Sequence, residues 1–491
     1  MSTRGHRYVG VDLGGTSVKA GCFTADGRLV ALARRPLTPD RPALGQAEIA
    51  IEAVDRAARE CIREVTQDGR IKVDGLSVSS QGQMFVTLDE RGRALHPAIL
   101  WYDSRASEQA CWLDKMVPKN AVGRPFIETI ATVSKILWLR QHRADRLKKA
   151  HRYLLLPDYL AFRLTGLAVT DSNTASSSGL FAEGAADYCQ EALDAAGIRR
   201  DQMARIVQPG TPIGKVDAKV AAKWGLSPET MLVAGTNDQY AGALGAGNCR
   251  PGILSETSGT CMALVTLTRR LPKVMPVGLF GGRFPIRPFD FALAYSKTAG
   301  VVLDWFQREF CDGASWDTLR GWVADSPIGS RGVTMLPHFE GMVSPEPDAS
   351  LRGVFTGLGL HHTRGDLLRA TLEALVFALR ENVEFMESQG LKIKTVRSIG
   401  GGAKDDLWLQ MKADVLGRPV ERPRVTEAAV LGAAMLAAFG CREFTSLAET
   451  SARLYRAERI FRPDKARHRA YSEPFTRYRE LRARMSKGSA R

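Results

Sequence analysis

Four short stretches carry residue types that can handle an anion. The first runs Asp12-Leu13-Gly14-Gly15-Thr16-Ser17-Val18-Lys19. Its carboxylate stands at the lip of a Gly-Gly turn, where bare backbone lets N–H groups approach a ligand and two hydroxyls can donate to it. The set suits a metal-bound phosphate; it also suits a tight hairpin closed by an Asp. Ser258-Gly259-Thr260 offers a second hydroxyl-glycine-hydroxyl turn, or the ends of two ordinary strands. Gly400-Gly401-Gly402-Ala403-Lys404 leaves room for a flat base or a ribose, because so flexible a run is costly to order unless something needs the space. Asp238, in Gly235-Thr236-Asn237-Asp238, precedes small residues that let a helix N-terminus come close to an anion. Taken alone, it reads equally as an N-cap.

The elements that position these stretches recur. Apolar runs predict strands at Tyr8–Leu13 and Val18–Phe23 on either side of the first turn, with a third strand opening at Gly27. Glu48–Val65 has helical periodicity, and Val73–Ser79 reads as a strand ending at Gln81-Gly82-Gln83. In the second half, Gly252–Thr257 and Cys261–Leu267 flank the Ser258-Gly259-Thr260 turn, and Thr395–Ile399 runs into the triple glycine. Asp366–Gln389 is a long amphipathic helix closed by Gly390. Each half therefore offers a strand, a Gly/Thr hairpin and a later strand ending in a glycine turn. This predicts a duplicated α/β unit with a ligand cleft between the copies. A boundary is expected near Gly247–Pro251.

Composition narrows the function classes. At 491 residues, with 44% apolar and 25% charged, the chain can build two or three packed domains. The net charge of +15 is uneven, with +8 falling in residues 442–491. No zinc-finger spacing or Gly-aromatic RNA signature accompanies that excess, so it predicts a solvated, Arg-rich terminal helix rather than a nucleic-acid surface. The eight cysteines show no C-x-x-C spacing, and Met1–Arg7 has no apolar core of signal-peptide length; reduced thiols in a cytoplasm are the expectation. Ala428–Phe439 is too short and too rich in Ala and Gly to span a bilayer.

A longer pattern is more specific. Gly353-Val354-Phe355-Thr356-Gly357-Leu358, then Asp366-Leu367 and Ala370-Thr371-Leu372-Glu373, resembles the C-terminal signature of the FGGY family of carbohydrate kinases. Ser134-Lys135-Ile136-Leu137-Trp138 resembles the family's Lys-x-x-Trp segment, and Asp158-Tyr159-Leu160 to Leu164-Thr165-Gly166 its "DYL…LTG" stretch. The resemblance covers roughly Arg7 to Phe439. It implies two actin-like, ribonuclease H-like α/β domains around an ATP cleft, and transfer of the γ-phosphoryl of ATP to a sugar or polyol hydroxyl.

By that resemblance, Asp238 is the base that accepts the proton of the attacking hydroxyl, a role typically worth roughly 10²–10⁴-fold. Asp12 and Asp238 face Mg²⁺. Gly14, Thr16, Ser17 and Lys19 in the first hairpin, and Ser258, Gly259 and Thr260 in the second, surround the phosphates. Gly401, Gly402 and Ala403 meet the adenosine, with Trp408, Gln410 and Asp414 continuing that segment. Gln83, Met84, Trp101, Asp103 and Arg105 form the sugar site, where Trp packs against a sugar face and Asp takes hydroxyl bonds. Xylulokinases usually carry Met-His where this chain has Met84-Phe85, which removes an imidazole hydrogen-bonding group.

The expectation is thus an Mg²⁺- and ATP-dependent, xylulokinase-like cytoplasmic kinase acting on a small ketose or polyol, with no nucleic-acid or membrane partner. A homodimer is left open. The expected domains are residues 1–249 (sugar side), 250–440 (ATP side) and a basic helical tail over 441–491. The alternatives are a polyol or glycerol-type kinase and a non-kinase ATP-driven switch of the same actin-like fold.

Overall fold

The computed structural model describes residues 5–118, 121–122, 127–182, 186–259 and 261–488. It divides into two compact units. The first comprises residues 1–247, 282–287 and 429–454, and the second residues 248–281, 288–428 and 455–491.

The first unit is built on a six-stranded sheet. In chain order its strands are β1 (Arg7–Leu13), β2 (Ser17–Thr24), β3 (Leu29–Pro36), β4 (Gly75–Ser80), β5 (Pro212–Lys215) and β6 (Met231–Asn237); in space they run β5-β6-β4-β1-β2-β3. β1 and β4 are almost wholly buried, as strands covered on both faces are; β1 is mostly apolar, whereas β4 (GLSVSS) fills its buried positions largely with small residues. Pairing is antiparallel for β1–β2 and β2–β3, parallel for β1–β4 and β4–β6, and antiparallel for β6–β5. Helix α1 (Ile51–Val65) packs Val54, Ala58 and Ile62 onto this sheet. A smaller sheet of Glu48–Ile49, Ala98–Ile99, Phe85–Leu88 and Arg152–Leu155 sits in the same unit. Beside it lies helix α2 (Thr132–His142), and at the end of β6 starts helix α3 (Asp238–Gly245).

The second unit repeats the scheme. Strands β7 (Gly252–Ser258), β8 (Met262–Thr268), β9 (Asp290–Ser296), β10 (Ile393–Ile399), β11 (Val420–Pro423) and β12 (Ala457–Phe461) lie in the order β9-β8-β7-β10-β11-β12 in a seven-stranded sheet, whose remaining strand, Phe280–Arg283, lies outside β9. β7–β8 and β8–β9 are antiparallel, β7–β10 and β10–β11 parallel, and β11–β12 antiparallel. Strand for strand this is the pairing of the first unit, so the duplication expected from the two hairpins is present. Two differences remain: the second sheet carries the additional edge strand Phe280–Arg283, and the outer antiparallel strand beyond the parallel pairs precedes its neighbour in the first unit and follows it in the second. Helix α4 (Arg364–Ser388) opens with a Thr363/Asp366 capping box, and α5 (Asp406–Leu416) follows the glycine turn after β10.

Two expected boundaries need correction. Helix α6 (Ala428–Gly440), drawn from the sequence as the end of the ATP-side domain, lies from Ala429 onward in the first unit. The reason is close backbone packing. A Cβ on Gly10 would stand 1.9 Å from the Val430 carbonyl oxygen, and one on Gly432 would stand 1.9 Å from that of Ala241. Only glycine allows such an approach. Residues 441–491 are also not a solvated tail. Helix Leu447–Leu454 belongs to the first unit, β12 completes the second unit's sheet, and helix α7 (Ser472–Gly488) buries Phe475 and Tyr478 against Phe377 of α4. No helix among the described residues is long and apolar enough to cross a membrane.

Candidate active site

In the first unit, Gly14 N–H donates to the Ser17 carbonyl (3.1 Å) and closes the turn after β1. Asp12 lies opposite Lys19 on β2 and Ser79 on β4, so all three share one face of the sheet at its end. The Ser79 hydroxyl donates to Asp12 Oδ1 at 3.0 Å. Thr16 is exposed at the tip of the turn, whereas Ser17 is buried in β2. β6 ends beside β4 and delivers Asp238 to the first turn of α3; the cap is Asn237, whose side chain accepts from Gln239 N–H at 3.0 Å. Asp238 is only partly exposed. Its Oδ1 accepts from Gln239 N–H (2.8 Å), and Gln239 Nε2 reaches Oδ2 at 3.3 Å. Burial, and then the nearby charge of Asp12, push the Asp238 carboxyl from its ordinary 3.8 up to about 7.

The end of β4 closes on the same place. A Cβ on Gly82 would lie 2.5 Å from Ser177 Oγ and 3.1 Å from Asn237 Nδ2, so Gln81-Gly82-Gln83 runs tight against the residues flanking Asp238. Gln83 takes the left-handed conformation (φ 66°), and its carbonyl accepts from Thr132 Oγ1 at 3.1 Å. Met84 and Phe85 are each 1% exposed. The Met84 sulfur accepts from Gln81 Nε2 (3.1 Å), and the Phe85 ring meets His96 edge-on at 5.5 Å. The expectation that Met84 offers a side chain to substrate is therefore corrected. Phe85, likewise, is a core residue of its strand and not a phenyl standing in for a substrate-facing imidazole.

The Trp101–Arg105 turn is held from behind. Asp103 is 0% exposed and accepts from Ala47 N–H (2.6 Å), Arg105 N–H (3.0 Å), Arg105 Nε (2.9 Å) and Arg105 Nη2 (2.8 Å). Arg105 also reaches Glu48 Oε1 (2.5 Å) and lies over the Trp138 ring, 5.0 Å from its centroid. These partners occupy the Asp103 carboxylate and the Arg105 guanidinium, which were expected to bind sugar hydroxyls directly. Trp101 stays partly exposed, with Tyr102 edge-on at 5.6 Å. Its carbonyl and that of Leu100 accept from the fully buried Lys135 Nζ, at 2.9 and 2.6 Å. Burial lowers the Lys135 ammonium to about 7, against the opposing pull of Asp103. Sequence reasoning singled out Lys135 and Trp138 only as letters of a motif. Both brace the Trp101 turn, and the available signal was a lysine set among Val133, Ile136, Leu137 and Leu139. Ser79 and Glu48 carried no such signal.

In the second unit, Gly259 N–H donates to the Cys261 carbonyl (3.0 Å); Thr260 lies outside the described residues. A Cβ on Gly259 would meet nothing within 4 Å, so one side of this turn is open. The Ser258 hydroxyl is not directed to that side. It is buried, donates to Glu256 and lies 3.2 Å from Lys412 Nζ, which corrects its expected role as a phosphate donor. Gly401–Ala403 form a single 3₁₀ turn. Gly401 has an open side, with the Ser258 carbonyl oxygen 3.9 Å from a built Cβ; Gly402 leaves no such room, since a Cβ there would lie 2.5 Å from Ser258 Cβ and 2.7 Å from the Trp408 ring; Ala403 is buried. Gln410 and Asp414 bond to each other (2.9 Å), and Asp414 also receives Asp464 N–H and Arg467 Nε.

Two hairpins of identical pairing, one of them set beside a pair of carboxylates, are matched by comparison with known proteins. Residues 7–245 match the model of the N-terminal domain, and residues 286–441 that of the C-terminal domain, of the FGGY family of carbohydrate kinases. The chain belongs to that family. It is 30% identical to the xylulose kinase of Bacillus subtilis over 485 residues, 96% of each chain. It is 28% identical to the L-xylulose/3-keto-L-gulonate kinase of Escherichia coli, again over 96% of each. The crystal structure of a xylulose kinase from Rhodospirillum rubrum superposes with a TM-score of 0.87 at 26% identity, covering 99% of this chain and 100% of that one.

The protein is therefore a carbohydrate kinase that phosphorylates a sugar with ATP. Among the described residues no group of three or more His, Cys, Asp or Glu could hold a metal. Asp12 and Asp238 nonetheless fit Mg²⁺. They are hard oxygen donors whose mutual repulsion a cation would relieve, and Mg²⁺ commonly takes one or two carboxylates and completes its shell with water and phosphate.

Proposed function

We propose that this kinase phosphorylates a small ketose such as xylulose, with Asp238 as general base. The observation that carries the reading is the placement of Asp238 at the start of α3, where burial first and the neighbouring charge of Asp12 second raise it to about 7. A carboxylate titrating there can hold a hydroxyl proton at neutral pH, and its basicity suits proton abstraction better than that of an ordinary Asp. As the sugar hydroxyl attacks the γ-phosphorus, its proton passes to Asp238, the new O–P bond forms, the bond from phosphorus to the bridging oxygen breaks, and ADP leaves. Asp12 and Asp238 would hold Mg²⁺ together with the nucleotide, and the ion would neutralise phosphate charge there. Most of the acceleration would come from such positioning and charge neutralisation.

Gln83 and Trp101 face the sugar in this reading, Trp101 through its ring. Asp103, Arg105 and Lys135 act on the sugar only through Trp101. In the first unit Gly14, Thr16 and Lys19 are phosphate contacts in this reading; in the second unit Gly259 is a phosphate contact and the open side of Gly401 receives the adenosine. The resemblance in full length to a xylulose kinase and to an L-xylulose/3-keto-L-gulonate kinase supports a ketose.

The test is ADP release with Mg-ATP across D- and L-xylulose, hexuloses, aldonates, pentitols and glycerol, for the wild type and Asp238→Ala. Turnover with a pentulose, lost in Asp238→Ala, is expected. Preference for glycerol or a pentitol would overturn the ketose assignment, and an Asp238→Ala enzyme of near-normal rate would overturn the base.

A further inference from the structure

A buried ion pair lies directly beneath the second hairpin. Lys412 of α5 and Glu256 of β7 meet at 2.8 Å, and both side chains are 0% exposed. Glu256 faces Ser398 across the parallel β7–β10 pairing, and the Ser398 hydroxyl donates to the same carboxylate at 2.5 Å. The other Glu256 oxygen accepts from the Ser258 hydroxyl. Lys412 Nζ also reaches Ser398 Oγ (3.1 Å) and Ser258 Oγ (3.2 Å), and it lies 4.2 Å from the centroid of the Trp408 ring, one helical turn earlier. Trp408 in turn presses on Gly402, which is wedged against Ser258. The contacts close a ring: Ser258, Glu256, Ser398, Lys412, Trp408, Gly402 and back to Ser258.

A pair buried this deeply is weak evidence for added stability, because desolvating two charges offsets much of their attraction. What it supplies is directional. Lys412 is a point charge with three donors, and from α5, the helix that leaves the glycine turn, they are spent on one carboxylate and two hydroxyls of two strands: Glu256 and Ser258 of β7, which enters the hairpin, and Ser398 of β10, which enters the glycine turn. We propose that Lys412, with Glu256, is a positioning residue for the nucleotide: it ties the Ser258-Gly259 turn to the Gly400–Gly402 turn, so that the open sides of Gly259 and Gly401 are held in one fixed arrangement. The proposal rests on the reading of these two turns as the phosphate and adenosine contacts.

Two variants test it. Lys412→Met combined with Glu256→Gln removes both charges and leaves no unpaired buried ion. Ser398→Ala keeps the ion pair and removes one hydroxyl of the ring. Each would be checked for a cooperative thermal transition. ATP affinity would then be measured by calorimetric titration, and the Michaelis constants for Mg-ATP and for D-xylulose by ADP release. Loss of a fixed donor arrangement predicts ATP binding weaker by about tenfold in the double variant and a few-fold in Ser398→Ala, with the sugar's Michaelis constant within about twofold of wild type. Folded variants that bind ATP as the wild type does would overturn the proposal, and Ser398→Ala decides alone if the double variant does not fold. A parallel rise in both Michaelis constants would also overturn it, since that marks general loosening. A wild type that phosphorylates no sugar in the panel would overturn the kinase reading instead, while weakened ATP binding in the variants would still uphold the positioning role.

Discussion

Asp238→Asn should make the protein more stable and the enzyme far slower, and the size of the first effect follows from the site. Asp238 titrates near 7 in the folded chain against an ordinary value of 3.8. Between those values the native state binds a proton that the unfolded chain has released, so stability falls as pH rises through the window and stays low above it. A shift of about three units at 1.36 kcal/mol each sets a ceiling of about 4 kcal/mol, and solvent access to the side chain reduces this to roughly 2 kcal/mol. Asn carries no charge at any pH and can keep an acceptor toward Gln239 N–H. The stability of Asp238→Asn relative to wild type should therefore grow by roughly 2 kcal/mol between pH 4.5 and pH 8. Urea unfolding of the ligand-free protein at a series of pH values measures it. Burial also raises Asp158, Asp171, Glu373 and Glu381, but these are common to both proteins and cancel in the difference. In the wild type, kcat/KM should fall on acidification as Asp238 is protonated, with the midpoint moved below 7 where Mg²⁺ relieves the repulsion from Asp12, and Asp238→Asn should lose roughly 10²–10⁴-fold in kcat. A variant that gains no stability relative to the wild type with rising pH, or a wild-type kcat/KM that shows no fall on acidification, would refute the assignment.

Other substitutions probe the scaffold. Lys135→Met withdraws the donor shared by the Leu100 and Trp101 carbonyls; a loss of roughly 1–3 kcal/mol on thermal unfolding is expected, with a higher Michaelis constant for the sugar than for ATP relative to wild type. Phe85→His, which restores the xylulokinase-like dipeptide, should cost about 1–3 kcal/mol and leave the ratio of kcat/KM between sugars unchanged, because the position is core. Altered sugar preference would contradict that placement. Gly10→Ala forces a methyl against the Val430 carbonyl, and a destabilisation of about 3 kcal/mol or more should appear as a large drop in melting temperature.

Much of the architecture was legible because it is written locally. The strands that flank Gly14-Gly15 and Ser258-Gly259 are continuous apolar runs ended by turn residues, and the structure has them at Arg7–Leu13, Ser17–Thr24, Gly252–Ser258 and Met262–Thr268. The long helix before Gly390 announces itself by its period and its stop. Side-chain direction was not legible in the same way. Ser258 and Asp103 look like ligand contacts in one dimension, yet Glu256 and Lys412 claim the first, and Arg105 and Ala47 claim the second. Their partners come from other segments, and no local pattern records such a pairing. Helix Ala428–Gly440 misled for a similar reason. An evenly apolar helix specifies burial but not the sheet it is buried against, and the choice was made by glycines at positions 10 and 432 meeting carbonyls far away in the chain.

The sequence by itself determined that two α/β units repeat around Gly-rich turns, and its motifs placed the chain among kinases of the FGGY type. The first follows from short-range rules of apolar period and turn chemistry; the second follows from the resemblance of those motifs to a known family's signature. Only the tertiary structure showed which candidate carboxylate is tied up by an arginine and which has a second carboxylate for a neighbour. Asp103 is consumed by the scaffold, whereas Asp238 stands beside Asp12 at a helix start, where burial and like charge lift it to about 7. Burial and the repulsion of a neighbouring charge are properties of positions in space, and Asp12 and Asp238 become neighbours only when β6 reaches β4 beside β1.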